Sequence, residues 1–138
     1  MVTENNKNYT LQKYLQEEAK SIEKYEFINE KMVKTSPFNG SCNILLAILN
    51  SAIAYAVEDL EENYMIFSPN QKIYFPELNE VVYSNLSGVF NIPIYWDDEK
   101  LLLINPIIVV EVLSKSTQKY DRTGKFDKYK TLERIREN

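Results

Sequence analysis

The chain of 138 residues has no histidine, one cysteine, three glycines and five prolines. Each shortage removes a class of chemistry. Without histidine there is no Ser-His-Asp triad, no Cys-His dyad and no His-ligated zinc. Cys42 alone makes neither a disulfide framework nor a cysteine zinc cluster. Glycine is too scarce for phosphate loops of the GxGxxG or GxxxxGK type, for collagen or for a glycine-rich linker. Carboxylates, lysines, hydroxyls and amides remain as the possible chemistry, or there is none.

The length suits one domain, residues 1–138, whose core needs no covalent staple. Residues 1–8 form a polar tail with no apolar stretch behind it, so it does not read as a signal peptide. The longest apolar run, Ile44 to Val57, is 14 residues and contains Asn50 and Ser51. A membrane span takes about 20 apolar residues, so this run reads as a buried helix and no membrane contact is expected. One unpaired thiol and no export signal make a cytoplasmic protein the expectation.

The net charge of −4 hides an uneven spread. Residues 115–138 read as a basic C-terminal helix with eight bases and four acids, against eight bases and sixteen acids in residues 1–114. The basic segment is either an electrostatic footprint for nucleic acid or a solvated amphipathic face.

Along the chain, Thr10 can cap a short helix with Leu11, Tyr14 and Leu15 at helical spacing. Tyr25 to Ile28 and Met32-Val33 read as a hairpin turned at Asn29, a residue that tolerates positive φ. A long helix from about Cys42 to Glu61 is apolar almost all round in its middle and should be covered on both sides. Its acidic end, Glu58 to Glu62, opposes the helix dipole. Tyr64–Phe67 and Lys72–Phe75 are strand-like and could be one bulged strand, and Val81 to Phe90 reads as another strand. The run from Pro106 to Leu113 suits a central strand buried on both faces. A last amphipathic helix, Asp121 to Arg134, carries Phe126, Tyr129, Leu132 and Ile135 near one face, with Asp121 suited to cap it.

Glu111 is the anomaly of the central-strand run. A carboxylate there needs a cationic partner or a metal. It is therefore a strand-end group paired with a lysine or partly solvated, or it is a ligand for Mg2+, which takes one or two carboxylates together with water and phosphate oxygens. Such a metal could activate water against a phosphodiester.

The segment Ile107-Ile108-Val109-Val110-Glu111-Val112-Leu113-Ser114-Lys115-Ser116-Thr117, then Tyr120-Asp121-Arg122 and Lys125 to Tyr129, resembles the signature of the cyanobacteria-rich restriction endonuclease domain family called Uma-two. That family is a branch of the PD-(D/E)XK nuclease superfamily, and its pattern is EVLSxST followed by YDRxxKxxxY. Tyr9-Thr10-Leu11, Tyr25 to Ile28 and Lys72 to Glu77 agree with its helix, first hairpin and pre-catalytic strand, so the resemblance covers essentially the whole chain. It implies an α/β (α+β) restriction-endonuclease-like fold, a mixed β-sheet flanked by helices, and Mg2+-dependent hydrolysis of DNA.

By the same resemblance, Glu111, Lys125, Asn85 and Glu26 occupy the catalytic positions. Glu111, Asn85 and Asn70 occupy the metal positions. Lys115, Lys119, Arg122 and Lys128 are the candidate DNA contacts. Leu113 sits where the usual ExK lysine would be, so Lys125 is the substitute. The family has aspartate where this chain has Asn70 and Asn85, and an amide is a weak Mg2+ ligand. Glu30 replaces a turn glycine, and the histidine common after the first hairpin is missing. The family continues into a further strand after the last helix, whereas the given sequence ends at Asn138. The expectation is a nuclease scaffold with impaired catalysis. The competing readings are a non-catalytic nucleic-acid-binding module and a remnant that self-associates through an exposed sheet edge.

Overall fold

The structure is a computed structural model that describes residues 7–35, 40–60, 63–112 and 124–137, with side chains in the last helix through Leu132. In chain order the elements are α1 (Leu11–Lys20), β1 (Tyr25–Ile28), β2 (Lys31–Lys34), α2 (Gly40–Val57), β3 (Tyr64–Phe67), β4 (Lys72–Phe75), β5 (Glu80–Tyr83), β6 (Leu86–Phe90), β7 (Leu102–Leu103), β8 (Ile108–Val110) and α3 (Lys125–Glu137). The strands divide into a five-stranded mixed sheet, β2-β1-β5-β4-β7, and a three-stranded antiparallel sheet, β3-β6-β8. The α+β class with sheet flanked by helices stands as the resemblance implied.

Local chemistry explains the first elements. Thr10 Oγ1 accepts the Lys13 N–H at 3.1 Å and starts α1. The β1–β2 hairpin closes on two residues, Asn29 at φ 54° and Glu30 at φ 63°. Two positive φ values match the twist of the strands they join. Asparagine tolerates that geometry, while glutamate adopts it without glycine's freedom.

Side-chain alternation sorts the five-stranded sheet into two faces. Phe27, Tyr74 and Val81 face α1, where they meet Tyr14, Met32, Leu102 and Ile104 in one core cluster. Ile73, Phe75 and Val82 face α3 and pack on Leu132 and Tyr129. The Phe75 and Tyr129 rings meet edge-on at 5.4 Å. Trp96 lays its half-exposed ring against Tyr74, with centroids 5.3 Å apart.

Several expectations are corrected. Tyr64–Phe67 and Lys72–Phe75 are not one bulged strand: β3 pairs with β6 in the small sheet, and β4 with β5 and β7 in the large one. Val81 to Phe90 is likewise two strands, because the chain leaves the large sheet at Ser84-Asn85 and enters the small one. Ser84 Oγ donates to the Leu86 carbonyl at 3.1 Å, a local bond that competes with the ladder. The run from Pro106 is not a doubly buried central strand. Among the described residues β8 pairs only with β6, and Ile108, Val109 and Val110 are half-buried.

The long apolar helix is also not covered on both sides among the described residues. Cys42, Leu46, Leu49, Ile53 and Val57 form its inner face beside the small sheet, and only Leu46 is fully buried. Ile44, Ile48 and Tyr55 on the opposite face are 64%, 59% and 78% exposed. By length and composition alone, this 18-residue helix could cross a bilayer. In α3 the inward positions are Lys125, Tyr129 and Leu132, whereas Phe126 points out and is exposed. Asp121 lies outside the described residues, as does the Ile135 side chain.

Candidate active site

The two sheets meet where the chain crosses between them, and that seam gathers three of the four catalytic candidates. Glu26 is on β1 with its side chain on the α3 side, the opposite face from Phe27. Its Oε2 accepts the Tyr83 N–H at 2.8 Å, which fixes it against the last residue of β5. Glu111 follows β8. Its Oε1 accepts the Tyr129 hydroxyl at 2.9 Å. Lys125 opens α3 and is 7% exposed. Its Nζ donates to the Tyr83 carbonyl at 2.9 Å and lies 3.5 Å from Glu111 Oε2 and 3.7 Å from Glu26 Oε2. The buried ammonium thus sits between two carboxylates, one from each sheet.

Asn85, the fourth candidate, is buried beside them and brackets Glu111. Its backbone N–H donates to the Val110 carbonyl at 3.1 Å. Its side-chain Oδ1 accepts the Val112 N–H. The amide therefore extends the β6–β8 ladder by one step on either side of Glu111. A carboxylate could accept the same N–H with one oxygen and turn a second toward the cluster. An amide has only its NH2 to turn there, a donor that repels a cation.

Asn70 is elsewhere. It lies on the exposed turn between β3 and β4, where its backbone N–H donates to Ser68 Oγ at 3.3 Å. Lys128 is half-buried on α3, with its Nζ 2.9 Å from Glu80 Oε1. Lys115, Lys119 and Arg122 lie outside the described residues. Among the described residues, no group of three or more Asp, Glu, His or Cys gathers as a metal cluster.

A family model described as "Uma2: Putative restriction endonuclease" matches residues 11–137. The chain belongs to the Uma2 family. An uncharacterized protein of Synechocystis sp. is similar to it, 27% identical over 137 residues, spanning 99% of this chain and 76% of the relative. So is a crystal structure of "a putative nuclease belonging to DUF820" from Anabaena variabilis, with a TM-score of 0.66 and 18% identity over 84% of this chain. The chain spans 64% of that nuclease's length. At that identity the likeness establishes a nuclease-like fold and carries no residue roles.

Within this Uma2 chain two participants escaped the sequence reading. Tyr129 was placed on the apolar face of the last helix, yet its hydroxyl reaches Glu111 while its ring packs on Phe75. Its signal was the i, i+4 spacing from Lys125, which stacks the two side chains on one face. Tyr83 acts through its backbone, which no side-chain pattern reports. Its own side chain points to the other face of the sheet. There the hydroxyl donates to Glu18 Oε2 at 2.8 Å, and Lys72 Nζ lies 3.0 Å from Glu18 Oε1. Burial, together with Glu18, holds the Tyr83 hydroxyl well above the usual tyrosine range. Behind the Lys125 cluster, therefore, stands a second buried polar group that pins Tyr83.

Proposed function

We propose that this Uma2-family chain is a DNA-directed nuclease-fold domain in which metal-dependent phosphodiester hydrolysis is impaired. One observation carries the reading: the cation between Glu26 and Glu111 is the ammonium of Lys125, and Asn85 adds an amide where a third carboxylate would stand. Mg2+ draws on carboxylates, water and phosphate oxygens with strict octahedral geometry. Here the inward carboxylate oxygens already face Lys125, the Tyr83 N–H or the Tyr129 hydroxyl. That donor set does not suit a divalent ion.

What these residues do is hold charge. Lys125 balances the buried Glu26 and the half-buried Glu111, and the Tyr83 carbonyl and N–H fix the lysine and Glu26 respectively. DNA as the partner is supported by the family's description as a restriction endonuclease and by the basic balance of residues 115–138.

Supercoiled plasmid incubated with Mg2+ or Mn2+ tests the reading, with a gel shift on the same DNA at low salt. The expected result is salt-sensitive binding without metal-dependent nicking. Nicking by the wild type that Glu111→Ala abolishes would overturn the impaired centre. Absence of any shift at low salt would overturn the DNA partner.

A further inference from the structure

We infer that the outer face of α2 is a self-association surface, on which a second copy of this chain docks its own α2 antiparallel. The inference is independent of the nuclease reading.

The helix carries two apolar faces but, among the described residues, has a partner for one. Cys42, Leu46, Leu49, Ile53 and Val57 recur at helical spacing on the side of the small sheet. Ile53 lines the crevice against Tyr64, Ile66 and Ile108. About half a turn away, Ile44, Ile48, Ser51, Ala52 and Tyr55 form a second stripe, and all five are exposed. No charged residue interrupts α2 from Gly40 to Val57, in a chain that is 26% charged. A continuous exposed apolar stripe of this kind marks an interaction surface.

The stripe's shape and end charges select the partner. Large residues flank its ends, and Ser51 and Ala52 sit near the middle. Two such stripes laid antiparallel about their centre place Ile44 beside the partner's Tyr55 and let the backbones approach at the small residues. This is an isologous, self-complementary contact. Charge complementarity points the same way. The first turn of α2 has no acid, and its last turn has no base. Glu58 and Asp59 are exposed at the negative end of the helix dipole, an unfavourable place within one chain. In the antiparallel pair both acids come beside the partner helix's N-terminus, the positive end. A lipid surface or a parallel pair would offer them no such neighbour.

Light scattering during size-exclusion chromatography tests the proposal on the full chain. The expected mass at tens of micromolar protein is twice the 16.2 kDa of one chain. Ile48→Glu is expected to halve it while circular dichroism stays unchanged. Glu58→Lys with Asp59→Lys is expected to weaken the dimer several-fold although it suits each helix's own dipole, so its monomer stays folded. In a Cys42→Ala background, Ser51→Cys is expected to cross-link two chains on oxidation, and Ser41→Cys is not. A wild-type monomer across this range overturns the proposal, as does a dimer that Ile48→Glu leaves intact. Equal cross-linking at both cysteines overturns the antiparallel geometry. Flotation of the wild type with phosphatidylcholine vesicles as a monomer overturns it in favour of a lipid surface.

Discussion

The backbone carbonyl of Tyr83 lies 2.9 Å from the Nζ of Lys125, closer than either carboxylate that the lysine neutralises. The lysine is therefore aimed by the end of β5 and only then balanced by Glu26 and Glu111. Removing it leaves two acids facing each other across a buried seam, and an uncompensated buried charge is severe. Lys125→Met is expected to lower unfolding stability by about 3–5 kcal/mol, read by urea denaturation at neutral pH. A loss below about 1 kcal/mol, the range of exposed pairs, would show that the ammonium is not what holds the seam.

Asn85→Asp tests the amide. The new carboxylate keeps an acceptor for the Val112 N–H and adds negative charge beside Glu111. The variant is expected to be less stable than wild type without metal and to gain thermal stability in millimolar Mn2+, whereas the wild type gains none. The same variant is expected to show Mn2+-dependent plasmid nicking above the wild-type level. A metal-induced shift of equal size in both proteins would refute the role given to the amide.

Ser87 supplies a simpler case. It is 1% exposed on β6, and its hydroxyl has no hydrogen-bond partner among the described residues. Burying an unsatisfied hydroxyl is costly, and removing it relieves that cost. Ser87→Ala is expected to raise stability by up to about 1 kcal/mol, seen as a higher melting temperature. A clear loss would mean that the hydroxyl is satisfied.

Alkaline pH should unfold the protein through its tyrosines. Tyr14 is fully buried, with its hydroxyl donating to the Tyr25 carbonyl at 2.5 Å. Burial first, then nearby Tyr83, Glu18 and Glu26, push it far above the usual tyrosine range. Tyr83 is raised by the same kind of surroundings. A folded-state value above the unfolded one means that the stability is present below pH 10 and is lost as pH rises beyond it, where only the unfolded chain gives up the proton. Each such tyrosine contributes a slope of about 1.4 kcal/mol per pH step there. Tyr14→Phe is expected to flatten the fall in denaturation midpoint between pH 10 and 11, although the bare Tyr25 carbonyl costs about 1–3 kcal/mol at neutral pH. An unchanged slope would remove Tyr14 from the account.

Much of the fold was legible where local chemistry decides it. Thr10 announced α1, and Asn29 announced a hairpin whose turn indeed takes positive φ. Glu26, Glu111 and Lys125 came from a motif resemblance, and the structure brings all three together. The misses share one cause: sequence reports what a segment is, not what lies beside it. The strand-like run from Val81 to Phe90 continues through Ser84-Asn85, so nothing local marks the change of sheet. Composition makes α2 apolar almost all round, yet among the described residues only the small sheet stands next to it. Phe126 left its expected side because hydrophobicity alone places the ring inward, whereas Lys125 takes that inward position beside Glu26 and Glu111.

The crossing at Ser84-Asn85 also bears on how such a chain changes over generations. Glu26 and Tyr83 belong to one sheet, Asn85 and Glu111 border the other, and Lys125 fastens both to α3. This cluster of charges is, mechanically, a weld. A substitution that keeps the weld costs the fold little, whereas one that discards the lysine or either acid opens the molecule along its seam. Selection on the fold alone is enough to keep these residues in place.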